Sequence, residues 1–197
     1  MKLTRIIQAL ALLTLLVGAA HAQRPRPTPT PDPYDEYLTK MELLLEKTGA
    51  VVVKGSTAVG TINGLRGTAT FTSWEMLDAQ TNRAEYGVSI LIGSSEGGRA
   101  EESRVAYVDY DELDALIKGI DYIIKLENSA TKLNRFEAQY RTRGGLALFR
   151  FNAPGGYGTA ISTEGVRGPR LILRPTGLVE FRDMVESAKT VLDEARK

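Results

Sequence analysis

Four carboxylates within six residues form the group in this sequence whose types and spacing could most directly do chemistry. This acidic cluster consists of Asp109, Asp111, Glu112 and Asp114. Two carboxyl groups that flank a substrate can hydrolyse a glycosidic bond when one of them has a raised pKa. Carboxylates also bind calcium, but Leu113 and Asp114 stand where an EF-hand loop needs a ligand and a glycine. The favoured interpretation is structural: an Asp109-x-x-Glu112 or Asp111-x-x-Asp114 box caps the helix that follows, where negative charge complements the helix dipole.

Arginine side chains dominate the charge of the second half of the chain. Residues 34–130 hold 16 acids and 9 bases, whereas residues 131–174 hold 8 bases and 2 acids. Arginine pairs with carboxylate or phosphate through two parallel hydrogen bonds. In an extended strand, the period of two would place Arg135, Arg141 and Arg143 on one face. The predicted site for an anionic partner comprises the seven arginines of this region: Arg135, Arg141, Arg143, Arg150, Arg167, Arg170 and Arg174.

Several interpretations of these arginines stay open. They can form an ordinary solvated sheet face that pairs with the acidic first half, within one molecule or between copies. They can also bind an acidic protein, a polysaccharide or a lipid head group. Nucleic acid is disfavoured, because an export leader argues against a nuclear or nucleoid role. The loop Ala153–Gly158, with Arg141–Gly145 and Val166–Arg170 nearby in the sequence, could form the rim of a ligand site, although its glycines equally suit tight turns.

The composition excludes several classes of enzyme. The chain has no cysteine, and its one histidine, His21, lies within the predicted leader. A Ser-His-Asp triad, a cysteine nucleophile and a zinc site of His or Cys ligands are therefore excluded from the exported protein. The sequence also lacks a P-loop and a GxGxxG loop. We predict no catalytic residue, metal ligand or cofactor, and we expect stability to come from packing rather than from disulfides.

The first 22 residues have the features of a signal peptide. Lys2 and Arg5 precede an apolar run at Ile6–Val17, and Ala20-His21-Ala22 is a small-x-small cleavage site. This pattern predicts cleavage after Ala22 and export to a periplasm or to the exterior. Residues 23–33 carry proline at every second position from 25 to 33, which predicts a semi-rigid extended linker. We expect no transmembrane segment in the exported protein.

Apolar periodicity predicts the order helix, strands, helix, strands, helix. Asp32 and Pro33 have the features of a helix start, which predicts a helix over residues 33–47. Alternation of apolar and polar residues then predicts roughly four strands. Within Arg104–Glu127 the last of these strands leads into a helix with apolar residues at helical spacing from Leu113 to Ile124. Four more strands and a last helix, which Thr176 can cap, follow. Asn63-Gly64 is predicted to be a two-residue hairpin turn.

The two strand-helix halves are similar in the spacing of their apolar residues. Six apolar positions of the helix at Leu113–Ile124 recur 68 positions later, in the helix that contains Phe181 and Leu192. Runs of strands followed by a helix predict an α+β fold of antiparallel sheets with helices packed on one face. We interpret residues 34–197 as one α+β domain, with possible pseudo-repeated β-β-β-β-α halves at 50–127 and 132–197 preceded by an N-terminal helix. Some single-strand nucleic-acid-binding proteins share this plan, which is a likeness of layout alone.

These observations together predict an exported, non-catalytic binding or interaction protein that recognises an anionic partner through an Arg-rich sheet face. One alternative is a carboxylate-dependent hydrolase outside the cytoplasm, which requires a concave pocket holding two acids. A further alternative is a structural subunit of an envelope assembly, whose association would depend on concentration and not on salt.

Overall fold

The computed structural model describes residues 38–94, 102–163 and 170–197. Within these ranges the fold consists of two four-stranded antiparallel sheets and three α-helices, which confirms the predicted α+β class. The predicted leader, the proline-rich linker and Arg167 lie outside the described residues. No helix in the described ranges is both long and apolar enough to cross a membrane.

Helix α1 covers Lys40–Glu46. The described residues contradict a helix that is continuous from residue 33, because Thr39 caps α1 directly. Its Oγ1 accepts a hydrogen bond from Glu42 N at 3.1 Å, and the Glu42 carboxylate accepts one from Thr39 N at 2.8 Å. This reciprocal capping box satisfies two N–H groups at the helix start and ends the helix there. The predicted cap, Asp32, lies outside the described residues.

Sheet 1 is a meander of four strands in the order β1-β2-β3-β4. The strands are β1 (Val52–Asn63), β2 (Gly67–Asp78), β3 (Arg83–Ser94) and β4 (Glu102–Asp109). The two-residue turn predicted at Asn63-Gly64 is wrong, because Asn63 is paired with Thr68. The turn lies two residues later, where Gly64 N donates to Gly67 O at 2.9 Å. It reaches the second sheet: Gly64 forms a bridge with Leu173, and Leu65 N donates to Ile172 O at 2.9 Å.

Sheet 2 follows after helix α2. A 3-10 turn at Tyr110–Glu112 leads into α2 (Leu113–Ile124), and a second 3-10 turn covers Asn128–Ala130. Sheet 2 has the order β5-β6-β7-β8. Its strands are β5 (Glu137–Arg141), β6 (Ala147–Ala153), β7 (Gly156–Ser162) and β8 (Leu171–Ile172), and helix α3 (Gly177–Ala195) closes the chain.

The two longer helices exchange sheets. Helix α3 packs against β1, β2 and β3 of the first sheet, whereas α2 packs mainly against β5 and β6 of the second, and the two helices contact each other. The Phe71 ring of β2 meets the Phe181 ring of α3 edge to face, with centroids 5.0 Å apart. Each helix therefore binds the sheet of the other half of the chain.

This exchange produces one core that spans both sheets. The main cluster of buried side chains includes Ile90 of sheet 1, Leu148 of sheet 2, Leu116 of α2 and Val185 of α3. A second and much smaller cluster lies on sheet 2 and contains Ala147, Phe149 and Ala160. Because apolar burial is the main favourable contribution to folding, the shared core joins the two sheets into one folding unit. The proposed sequence repeat and its boundaries stay predictions.

Helix α1 lies on the face of sheet 1 opposite to α3. Met41 of α1 is fully buried, and a Cβ atom built on Gly87 would lie 2.3 Å from its sulfur. Gly87 pairs with Trp74 across the sheet, whereas Phe71 contacts α3. Trp74 and Phe71 are an odd number of residues apart on one strand, so their side chains point to opposite faces. The glycine at position 87 provides the space that Met41 occupies.

Candidate functional site

Asp109 of the acidic cluster is buried and binds the start of α1. Its side chain is 1% exposed, and its carboxylate accepts hydrogen bonds from Lys40 N at 2.8 Å and Met41 N at 3.3 Å. Burial raises the pKa of Asp109, and the two main-chain N–H groups partly oppose that rise. Both carboxylate oxygens are thus bonded to the free N–H groups of a helix start, which is the role of a cap.

The other three carboxylates of the cluster have different surroundings. Asp111 pairs with Lys40 Nζ at 2.7 Å, and this hydrogen bond lowers the pKa of Asp111. Glu112 Oε1 accepts a hydrogen bond from Arg143 N at 3.0 Å, while its Oε2 is buried with no partner in the described part of the chain. Asp114 is exposed.

The prediction that the cluster caps its own helix is therefore wrong. Neither the 3-10 turn nor α2 begins with a side-chain cap hydrogen bond. The carboxylates instead bind groups that are distant in sequence, namely the start of α1 and the turn between β5 and β6. This acidic cluster joins three elements of the fold.

The hydrolase alternative requires two acids in a concave pocket, one of them with a raised pKa. Among the described residues, no three His, Cys, Asp or Glu side chains lie close enough to hold a metal ion. Two surface grooves, defined below, are lined by none of the four carboxylates of the cluster. The first groove holds two other acids, Asp78 and Glu85, each paired with a cation, and the pKa of Asp78 is lowered rather than raised.

The predicted arginines do not lie on one strand face. Only Arg141 belongs to β5, while Arg135 precedes that strand and Arg143 follows it. All three side chains are exposed, and none of them forms an ion pair with another described residue. Five residues of strand span about 15 Å, so Arg135 and Arg143 lie at opposite ends of sheet 2.

Arg170 is already engaged within the protein. Its Nη1 and Nη2 donate to the Glu137 carboxylate at 2.7 and 3.2 Å, and its guanidinium lies 3.8 Å from the centre of the Phe149 ring. A guanidinium that forms two hydrogen bonds to one carboxylate and stacks on an aromatic ring is held in one orientation. It also covers the apolar face of that ring. Arg174 follows β8 and is exposed.

Arg150, on β6 of sheet 2, is held by two neighbours. Its Nη1 donates to Ile124 O at 2.8 Å, at the end of α2, and its guanidinium lies 4.1 Å from the centre of the Tyr157 ring. The Tyr157 ring in turn meets Phe136 edge to face, with centroids 6.1 Å apart. The Nε atom of Arg150 is buried and has no acceptor in the described ranges.

Two of the three segments that the sequence suggested as one rim lie apart. The connection at Arg141–Gly145 precedes β6 and the one at Ala153–Gly158 follows it, so the two lie at opposite ends of that strand. Most of the third segment, Val166–Arg170, lies outside the described residues. The glycines serve tight turns instead: Ala153 pairs with Gly156, which leaves Pro154 and Gly155 as a two-residue turn with φ of +83° at Gly155.

Two grooves differ in how completely their charges are paired. The first, about 530 Å³, lies between α1 and the hairpin of β2 and β3. Its three cations are engaged in the ion pairs Lys40–Asp111, Lys47–Asp78 and Arg83–Glu85. The second, about 870 Å³, lies at the end of α2; we call it the Arg150 groove, and it is lined by Ile124, Lys125, Glu127, Ser129, Arg150 and Tyr157.

Of the residues that line the Arg150 groove, the sequence indicated Arg150 and, within the suggested rim Ala153–Gly158, Tyr157. Lys125, Glu127 and Ser129 follow α2 in a polar connector without a recognisable motif. They reach Arg150 and Tyr157 only because α2 packs against β5 and β6. The sequence carried one further signal of this groove, its local charge. Residues 125–135 contain three bases and one acid, whereas residues 34–130 as a whole contain more acids than bases.

The two ends of β5 therefore differ in charge. Near Arg143 lie two acids, since Glu112 accepts its N–H and its positive charge contributes to the low pKa of Asp111. At the other end, Arg135 shares its exposed loop with Lys132. We call this second region, which includes the Arg150 groove, the Tyr157 end. It keeps an excess of positive charge.

Comparison with known proteins gives no relative for this chain. No family model, no curated protein and no solved structure matches it.

Proposed function

We propose that this chain is an exported, non-catalytic binding protein whose second half recognises an anionic partner. The observation that carries the proposal is the state of Arg135, Arg141 and Arg143. These side chains are exposed and form no ion pair with other described residues, in a region that carries 8 bases and 2 acids. An exposed guanidinium without a carboxylate partner offers bidentate hydrogen bonds to an incoming carboxylate, sulfate or phosphate.

The spacing of these arginines favours an extended partner over a single small ion. Arg135 and Arg143 flank a strand about 15 Å long, too far apart for one anionic group to contact both. A polysaccharide, an acidic protein surface or a lipid surface can meet both ends at once. Such contacts steer association and weaken as salt screens them.

The export step rests on residues 1–22 of the sequence. It is tested by expressing the full chain in a bacterium and sequencing the N-terminus of the protein recovered outside the cytoplasm. Gln23 is the expected first residue. Recovery of the chain only in the cytoplasm, with Met1 intact, would contradict export.

The binding step is tested on an anionic column with an increasing salt gradient. The triple variant Arg135→Ser, Arg141→Ser, Arg143→Ser is expected to elute at much lower salt than the wild type, with a nearly unchanged thermal melt because the three side chains are exposed. The matched control replaces Lys54, Lys118 and Lys197 by Ser, which removes the same charge from exposed positions elsewhere. Elution of the triple variant at the same salt concentration as the wild type would refute the proposal. If the Arg variant and the Lys control both elute earlier by the same amount, retention depends on net charge alone and not on these three arginines.

A further inference from the structure

The Arg150 groove combines features of a binding site that the first groove lacks. Arg150 is fixed by the Ile124 carbonyl and the Tyr157 ring, so its guanidinium keeps one position before any ligand arrives. Its buried Nε has no acceptor in the described part of the chain. Arginine has five N–H donors, and buried donors are normally bonded. The buried Nε is out of reach of a ligand, but the guanidinium has further N–H donors besides the one bonded to the Ile124 carbonyl, and these can bind an acceptor from outside the chain.

The lining of this groove is mixed in a way that restricts the ligand. Lys125 and Arg150 supply positive charge, Glu127 supplies a carboxylate, and Ser129 supplies a hydroxyl. A compact polyanion such as phosphate would gain from the cations but would be repelled by Glu127. A ligand that carries both an acid group and neutral hydroxyls would use all four side chains, because its hydroxyls can donate to Glu127 and Ser129.

An exposed aromatic ring completes the set. Tyr157 is 38% exposed, and one face of its ring is covered by the Arg150 guanidinium at 4.1 Å. The exposed part of the ring offers an apolar surface with a polar tip, which suits the C–H groups of a sugar ring. Binding sites commonly combine such apolar surface with a few polar groups that set orientation.

We propose that the Arg150 groove binds an acidic saccharide, with Arg150 and Lys125 pairing with the carboxylate of a uronic-acid unit, and Glu127 and Ser129 bonding its hydroxyls. This inference rests on the proposed function, because it names the anionic partner as a carboxylated polysaccharide and gives one unit of it a defined seat. The exposed Lys132 and Arg135, in the loop beside the groove, extend the positive surface along which further acidic units would lie.

The test compares ligands that differ only in charge. Tetragalacturonate and its fully methyl-esterified form are titrated into the purified protein by calorimetry at low salt, with inorganic phosphate as a competitor. We expect the free acid to bind and the ester not to bind, with phosphate displacing the acid only at far higher concentration. Equal binding of acid and ester would overturn the proposal, and equally effective displacement by phosphate would reduce the groove to a general anion site.

The variants assign the binding to the groove. Arg150→Lys keeps the charge but loses the planar fork, and is expected to weaken tetragalacturonate binding roughly tenfold. Lys125→Ser, at an exposed position that leaves the fold unaffected, is expected to weaken it about threefold. The control Lys54→Ser on sheet 1 should bind as the wild type does. Wild-type affinity in both groove variants would refute the groove.

Failure of this inference is distinguishable from failure of the proposed function. If the wild type is retained on the anionic column through Arg135, Arg141 and Arg143 but does not bind tetragalacturonate, the general function stands and the saccharide site falls. In the converse case, tetragalacturonate binds, the groove variants weaken this binding, and the triple variant is retained on the column as strongly as the wild type. That result would support the saccharide site in the Arg150 groove and refute the proposal for Arg135, Arg141 and Arg143. Thermal melts of Arg150→Lys identify loss of fold, in which case Lys125→Ser decides.

Discussion

The carboxylate of Asp109 lies 2.8 Å from the main-chain nitrogen of Lys40, a residue 69 positions earlier in the chain. This contact joins the end of β4 to the start of α1, next to the buried side chain of Met41. The predicted proline-rich linker at residues 23–33 precedes α1. The Asp109–Lys40 contact therefore holds the first described helix on sheet 1.

Replacing Asp109 by Ala is expected to destabilise the protein by about 1–2 kcal/mol, because two N–H groups at a helix start lose their acceptor. Urea denaturation measures the loss. Hydrogen exchange localises it: the amides of Lys40 and Met41 should exchange faster, while the amides of β2 should change only with global stability. The control Asp114→Ala removes an exposed acid of the same cluster and should stay within about 0.5 kcal/mol of the wild type. Unchanged protection of α1 in Asp109→Ala would contradict the capping role.

The surroundings of Asp78 predict how the free energy of unfolding changes as the pH becomes acidic. Its carboxylate accepts hydrogen bonds from Lys47 Nζ at 2.6 Å and from Gln80 N at 2.9 Å. The Lys47 ammonium and the N–H groups of the turn hold the pKa of Asp78 far below its usual range. Because the folded-state pKa lies below the unfolded value, the stabilisation is present above the unfolded pKa of about 4 and is lost as pH falls towards the folded value.

The variant Asp78→Asn should therefore be less stable than the wild type at neutral pH and should lose less stability between neutral pH and about pH 3. Urea denaturation at a series of pH values gives both curves. Asp114→Asn serves as the control, since it removes an exposed carboxylate whose ion pair with Lys189 Nζ is long, at 3.8 Å. An Asp78→Asn curve parallel to the wild-type curve would show that this carboxylate does not determine the acid limb.

The class of fold was predictable because its evidence is local. In sheet 1 each strand pairs with the next strand in sequence. The alternation of apolar and polar residues and the turn residues therefore identify the four strands and also their order in the sheet. The exchange of helices was not predictable in this way. Helices α2 and α3 have similar apolar faces, and a face records that a helix is buried but not which sheet buries it. Strand β8, with only the two residues Leu171 and Ile172, is defined by its partners rather than by its own sequence.

The candidate site was predictable only as a set of charges. Composition placed the arginines in one half of the chain, but their partners are long-range: Arg170 binds Glu137 across sheet 2, and Arg150 binds the end of α2. The acidic cluster shows the same limit, because Glu112 bonds Arg143 N, 31 residues away. The sequence identifies which residues are charged. Tertiary packing decides which of these charges are paired with a charge of opposite sign.

Gly119 tests the packing of α2 on sheet 2. A Cβ atom at this position would lie 2.4 Å from the Tyr140 ring. Alanine in a helix interior is normally more stable than glycine by about 1 kcal/mol, but overpacking against a held ring costs about 1–3 kcal/mol. Gly119→Ala should therefore destabilise the protein, measured by thermal and urea denaturation. The control is Gly55→Ala, where the nearest atom lies at 3.7 Å and no loss is expected. A stabilised Gly119→Ala would show that α2 does not rest on Tyr140.

The two ends of β5 should contribute unequally to the binding of an anionic partner. The guanidinium of Arg143 forms no ion pair with other described residues, but Glu112 and Asp111 lie near this residue and lower the positive potential around it. Arg135 instead shares an exposed loop with Lys132 and belongs to the Tyr157 end. Coulomb interactions act over roughly 10 Å at moderate salt, which makes these nearby acids relevant to an approaching anion. Arg135→Ser should therefore lower the salt concentration of elution from an anionic column more than Arg143→Ser does. Both variants remove one exposed positive charge, so each is the matched control for the other. A larger effect of Arg143→Ser would place the binding surface at the turn between β5 and β6 and away from the Arg150 groove.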